Sequence, residues 1–254
     1  MIALHDCPRT TLISFSGIDG SGKSTQIEML SSRLKENGLR VVLIRFWDDI
    51  ATMTILRENA GHTLFHGDKG VGSISAPINR RDKNVDTWLM TVVRLFLYFV
   101  DAISVRVAVE KALRSRVDVV IFDRYTYDEL ANLRLRNPVI RAYVNMIMRI
   151  ASKPHISYLL DADPAKARAR KPEYPLDFLY TNRQSYLTLS ELVGGMTVVP
   201  ALAIEDVGHI ILQRALETVS YRTPQRDSRG LSSSNDAEIE RADLNARQRG
   251  GADF

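Results

Sequence analysis

Apolar residues fall along this chain in two alternating patterns. Short, nearly unbroken apolar runs occur at 11–16 (Leu12, Ile13, Phe15), 40–47 (Val41, Val42, Leu43, Ile44), 117–122, 155–160 and 197–199. Runs of this length predict strands, and the continuous second and third runs predict parallel strands buried on both faces. Between them, apolar positions recur at helical spacing. Ile27, Leu30 and Leu34 predict a helix over 26–35 that Asn37-Gly38 stops. Further helices are expected over 48–58, 86–116, 126–151 with a break at Asn137-Pro138, 177–193 up to Gly194-Gly195, and 205–221. In the last, Val207, Ile210, Ile211, Ala215, Leu216 and Val219 should face inward. The 86–116 segment is apolar around almost its whole circumference, which predicts a helix packed on several sides. Strands alternating with helices make this an α/β chain with right-handed crossovers.

Two stretches break the alternation. Residues 59–86 hold five glycines or prolines among charges such as Asp68, Lys69, Arg80, Arg81, Asp82 and Lys83, a long loop of the kind that serves as a lid or stays disordered. From Arg222 onward large apolar residues are sparse and acidic and basic residues balance, so 222–254 reads as a disordered polar tail. Residues 1–221 then form one domain, with residues 1–10 a short leader. Composition narrows the picture only slightly. An apolar fraction of 45% is ordinary for a globular chain, and a net charge of +4 suits an anionic substrate or a membrane surface equally, without marking a nucleic-acid surface. One cysteine, Cys7, allows no internal disulfide. No apolar run reaches membrane-spanning length, so a cytoplasmic protein is expected.

The chemistry concentrates where the first strand meets the first helix. Gly17-Ile18-Asp19-Gly20-Ser21-Gly22-Lys23-Ser24-Thr25 has the spacing of a phosphate-binding loop, and it has the required strand before it and helix after it. The glycines allow close backbone approach, so the loop N–H groups can form a nest for anionic oxygens. Lys23 would reach the β- and γ-phosphates, and the Ser24 hydroxyl would sit on Mg²⁺. The third strand ends in Asp123-Arg124-Tyr125, and Asp123, at a strand's carboxyl end, is placed to hold the metal or its waters. The fourth ends in Asp161-Ala162-Asp163-Pro164, where Asp163 reads as a helix N-cap and Pro164 as the first helical residue. Lys166, Arg168, Arg170 and Lys171 follow, a basic segment within 165–176 suited to anion binding. The aromatics Phe96, Tyr98 and Phe99 read as core, with base stacking by Phe96 as the sharper alternative.

These motifs together resemble the thymidylate kinase family of nucleoside monophosphate kinases over roughly residues 10–220. The loop with its acidic Asp19, the strand Val120 to Asp123 followed by Arg124-Tyr125, Leu160-Asp161-Ala162-Asp163-Pro164 before the arginines, and the pair Tyr186-Leu187 carry the likeness. The resemblance implies a P-loop kinase fold: a five-stranded parallel sheet with helices on both faces and a basic lid at 165–176. It implies phosphoryl transfer from ATP, with Mg²⁺, to a nucleoside monophosphate, most simply dTMP to dTDP. Residues Gly17 to Thr25 would hold the donor. Asp19 would lie near the acceptor sugar, Arg124 would bind the acceptor phosphate, and Arg168 and Arg170 would be the catalytic lid arginines. Arg45, Arg57, Phe96 and Tyr186 are further candidates for the acceptor side. A homodimer is also implied.

Departures from the family pattern cluster on that side. Arg45 is followed by Phe46-Trp47-Asp48-Asp49 rather than Glu-Pro-Gly-Gly-Thr, Asp101 is followed by Ala102 rather than arginine, and 59–86 is longer than the pattern. Two alternatives follow: a P-loop phosphotransferase acting on another metabolite such as a sugar or nucleoside, or a non-catalytic nucleotide-binding switch. No Asn-Lys-x-Asp guanine-reading motif occurs.

Overall fold

A computed structural model of the chain describes residues 10–50, 88–115 and 117–222. Arg57, the 59–86 segment, the expected leader and nearly all of the tail lie outside the described residues.

Five strands form one parallel sheet: β1 Thr11–Ser16, β2 Val41–Arg45, β3 Val119–Asp123, β4 Ile156–Asp161 and β5 Met196–Pro200, in the order β2-β3-β1-β4-β5. This is the α/β architecture expected of a P-loop kinase. The helices are α1 Lys23–Glu36, α2 Trp88–Arg114, α3 Thr126–Leu130, α4 Pro138–Ile150, α5 Pro164–Arg170, α6 Leu176–Val193 and α7 Ile204–Arg222. Alternation along each strand divides the core between the two faces of the sheet. Ile13, Phe15, Val119, Ile121, Ile156, Tyr158 and Leu160 pack with α1 and α7, while Leu12, Val120, Phe122 and Leu159 pack with residues of α2, α3, α4 and α6.

Four expectations change. First, β2 is an edge strand rather than one buried on both faces, with Val42 and Leu43 exposed. After Arg45 the chain enters a π-type turn, Phe46–Ile50, in place of further strand. Second, among the described residues α2 buries one side. Tyr98, Asp101, Ala102, Val105 and Val109 are buried, but Val92, Phe96, Ile103 and Val107 form an exposed apolar stripe on the opposite face. Third, helix does not run on from 126 to 137. It stops at Leu130 and restarts where the Asn137 side chain accepts from the Val139 N–H, with Pro138 in the first turn. Fourth, Ile210 of α7 is exposed. Among the described residues no helix is long and apolar enough to cross a membrane.

The order β2-β3-β1-β4 makes β1 the strand from which the chain departs to both sides. Such a switch point opens a crevice at the carboxyl ends of the strands. The ends of β1, β3 and β4 bring Gly17, Asp123 and Asp161 to that one edge, and β2 adds Arg45, which is in register with Asp123.

Candidate functional site

The loop after β1 is built to take an anion. Gly22 sits at α1's N-cap in a left-handed conformation and no side chain caps the helix, so its first N–H groups stay open. Lys23 is buried, and its Nζ donates to the carbonyls of Gly17 at 2.8 Å and Ile18 at 2.9 Å. Burial, then the neighbouring Arg124 cation, pushes the Lys23 ammonium down to about 8, against the opposing pull of Asp19, Asp128 and Asp123. Ser24 and Thr25 are exposed at the start of α1.

Arg124 follows directly on β3 and adopts a left-handed backbone, φ 69°, with its N–H donated to Phe15 O at 3.0 Å. That anchors the turn to β1. Its Nη2 bonds Asp19 of the loop and its Nη1 reaches Asp128 at 3.3 Å. Burial would raise the Asp19 carboxyl, but the Arg124 and Lys23 cations outweigh it and hold Asp19 down to about 2. Burial would lower the Arg124 guanidinium, yet Asp128 and Asp19 lift it above its ordinary value. Two cations and two anions thus share one partly dehydrated edge of the sheet. Such a balanced group tolerates burial and can exchange a carboxylate partner for an incoming phosphate.

The basic segment at 165–176 lies against the loop. Asp163 caps α5, accepting from the Lys166 N–H at 2.9 Å as expected. A Cβ added to Gly20, whose φ is +79°, would stand 2.3 Å from the Ala167 carbonyl oxygen, so the two backbones touch. Arg170 Nη1 lies 3.8 Å from the point a Cβ on Gly22 would occupy. Lys171 also helps lower the Asp19 carboxyl, after Arg124 and Lys23. The middle of α6 is tied down by Arg183, which grips Asp161 at the end of β4 with bonds of 2.5 and 2.7 Å.

The structure therefore brings together Gly17, Asp19, Gly20, Ser21, Gly22, Lys23, Arg124 and Arg170. Asp123 belongs with them, close enough to act on the Lys23 charge. Tyr186 joins through its hydroxyl, donated to Asp128 at 2.7 Å, and is buried, which raises it well above an ordinary phenol. Arg168 is half-buried on α5. Arg45 is exposed at the end of β2, with its backbone N–H donated to Asp49 at 2.7 Å. Phe96 does not join the group: it is on the outward stripe of α2 and 62% exposed. Sequence reasoning missed Asp128 and Arg183. For Asp128 one signal existed, a carboxylate four residues after Arg124 at the start of a helix.

No family model matches the chain. Individual curated relatives do. A probable thymidylate kinase of Archaeoglobus fulgidus is 30% identical over 184 residues, which span 69% of this chain and 80% of that protein. The chain belongs to the thymidylate kinase family. The thymidylate kinase of Bifidobacterium longum is likewise 30% identical, over 70% of this chain and 82% of its own length. A probable thymidylate kinase of Thermococcus kodakarensis is 27% identical over 82% of this chain and 97% of its own. Membership accords with the parallel five-stranded sheet and the loop at its switch point.

Proposed function

We propose that this chain is a thymidylate kinase that transfers the γ-phosphoryl group of ATP to dTMP. The observation that carries the reading is the juxtaposition of Lys23 and the open loop amides with Arg124, a separate, half-buried cation directly after the neighbouring strand. One cation suits the donor phosphates and the other the acceptor phosphate. Phosphoryl transfer needs the two brought in line and their charge neutralised, with little covalent work by the protein.

The residues divide the task as follows. The loop from Gly17 to Thr25 cradles the donor phosphates and Lys23 turns from its own carbonyls to them. Arg124 exchanges part of its carboxylate pairing for the acceptor phosphate, and Asp19, released, faces the acceptor sugar. Arg170, with Arg168 behind it on α5, closes over the transferring group and excludes water. The donor set fits Mg²⁺: an exposed Ser24 hydroxyl and the Asp123 carboxylate are two hard oxygen ligands of the kind that suffice when substrate phosphates and waters supply the rest. When bound, the ion would neutralise charge on the donor phosphates. Arg45 at the end of β2, with Arg57 and Tyr186, completes the acceptor side, where the chain departs most from its family's pattern. The exposed stripe Val92, Phe96, Ile103 and Val107 supports a homodimer formed through α2, and cytoplasm is the compartment.

The experiment is ADP formation from ATP and Mg²⁺ with dTMP, dUMP, other monophosphates, a sugar, or no acceptor. Stimulation chiefly by dTMP is expected. ATP binding without stimulation by any monophosphate would overturn the reading.

A further inference from the structure

Asp128 has no part in the chemistry above, yet its two carboxylate oxygens accept from four donors. It is 4% exposed, in the first turn of α3. Its Oδ2 accepts from the Ser16 hydroxyl at 2.7 Å and from the Tyr125 N–H at 3.1 Å. Its Oδ1 accepts from the Tyr186 hydroxyl at 2.7 Å and from Arg124 Nη1 at 3.3 Å. Four donors saturate the two oxygens, and this satisfaction is what makes burial of a carboxylate tolerable. The donors come from separate parts of the fold: the residue just before the phosphate loop, the β3–α3 turn, and the helix after the lid.

Arg124 needs such support. A residue with a side chain enters the left-handed region at a cost and stays there when its surroundings over-determine it. Asp19 holds Nη2 and Asp128 holds Nη1, so the guanidinium is gripped at both ends and cannot swing. Asp19 belongs to the loop, and in the proposed reaction it turns to the acceptor. Asp128 is buried and fixed on every side, and it remains.

The geometry points to Asp128 as a positioning residue for the acceptor phosphate: it sets the orientation of the Arg124 guanidinium and, through Tyr186, couples that orientation to α6 beyond the lid. This rests on the thymidylate kinase reading of the site. Asp128→Asn separates the role from bulk structure. The amide keeps the size, and its oxygen can still accept from the Tyr125 N–H. Its NH₂ then faces Arg124 Nη1, donor against donor, and the arginine loses its aim.

The test is calorimetric titration of the full chain and of Asp128→Asn with dTMP and with thymidine, which lacks the phosphate, alongside the KM for ATP. A weakening of dTMP binding of about tenfold is expected, the scale of one charge-assisted contact, with thymidine and ATP changed less than about twofold. Equal dTMP affinity in the two proteins would overturn the assignment. So would equal loss of dTMP and thymidine, which would make Asp128 a structural residue only. Should Asp128→Asn fail to fold, Ser16→Ala removes one donor to Oδ2. It should weaken dTMP about threefold and leave thymidine unchanged, and no change in either overturns the assignment. A wild-type chain that binds no dTMP would overturn the thymidylate reading and this assignment together.

Discussion

Replacing Gly20 by alanine tests whether the 165–176 segment lies against the Gly17–Thr25 loop for a catalytic reason. The added Cβ would meet the Ala167 carbonyl oxygen at 2.3 Å and its carbon at 2.9 Å, both backbone atoms of α5. Ordinary contact begins at 3.4 Å, so α5 must retreat by about 1 Å. A shift of that size in a catalytic group costs on the order of a hundredfold in rate. Gly20 also has φ +79°, so any side chain there carries a backbone cost of about 1–2 kcal/mol. Gly38 separates the two effects. Its φ is +77°, but nothing lies within 4 Å of an added Cβ. Gly38→Ala therefore carries the backbone cost alone. Gly38→Ala should lower Tm by about 4 °C for a domain of this size, and Gly20→Ala by at least as much. Only Gly20→Ala should lose kcat for dTDP formation, by about a hundredfold at saturating substrates. The reasoning is refuted if Gly20→Ala melts like Gly38→Ala and also turns over within about threefold of it.

Three other outcomes follow from the site. The Lys23 ammonium is held down to about 8 by burial and by Arg124, against an ordinary value of 10.5, so the folded protein sheds that proton as pH rises through 8 while an unfolded chain keeps it to higher pH. ATP phosphates should restore it, so calorimetry near pH 9 in buffers of different ionisation enthalpy should show proton uptake on ATP binding, absent in Lys23→Met; no uptake by the wild type contradicts the placement of Lys23. Arg170 is exposed and, among the described residues, its side chain bonds its own helix, through Nε to Lys166 O at 3.3 Å, so Arg170→Ala should leave Tm unchanged. Its kcat should nonetheless fall on the order of 10²–10³-fold, with no rescue by lysine; a loss below tenfold would remove Arg170 from the reaction. Sedimentation should find the wild type dimeric and Phe96→Glu monomeric with unchanged circular dichroism, and a monomeric wild type would dismiss the α2 interface.

The first strand, the loop and the first helix were legible because each rests on local chemistry. Strand length, glycine spacing and the Asn37-Gly38 stop need no knowledge of the rest of the chain. The cap at Asp163-Pro164 was legible for the same reason. The environment of β2 was not. Val41 to Ile44 is as apolar as the interior strand β3, and hydrophobicity alone cannot tell an edge from a centre when the strand order is unknown. For α2 the apolar circumference was read correctly as a pattern and wrongly as burial, because the pattern does not say which face the core covers. The same error makes Phe96 read as core, where it is 62% exposed. Asp128 shows a third limit. Its bonds to Ser16 and Tyr186 span 112 and 58 residues, so the sequence held no trace of them. Only the four-residue spacing from Arg124 could have drawn attention to it.

The central claim, that the group around Lys23 and Arg124 moves a phosphoryl from ATP to dTMP, is tested most directly by following the phosphorus. The chain is incubated with γ-labelled ATP, Mg²⁺ and dTMP, and the products are separated. Label should appear in dTDP, with little in inorganic phosphate, and transfer should vanish in Lys23→Ala. Label found in inorganic phosphate with none in dTDP would contradict the account, because it would mean that the donor half works and the acceptor half does not hold dTMP.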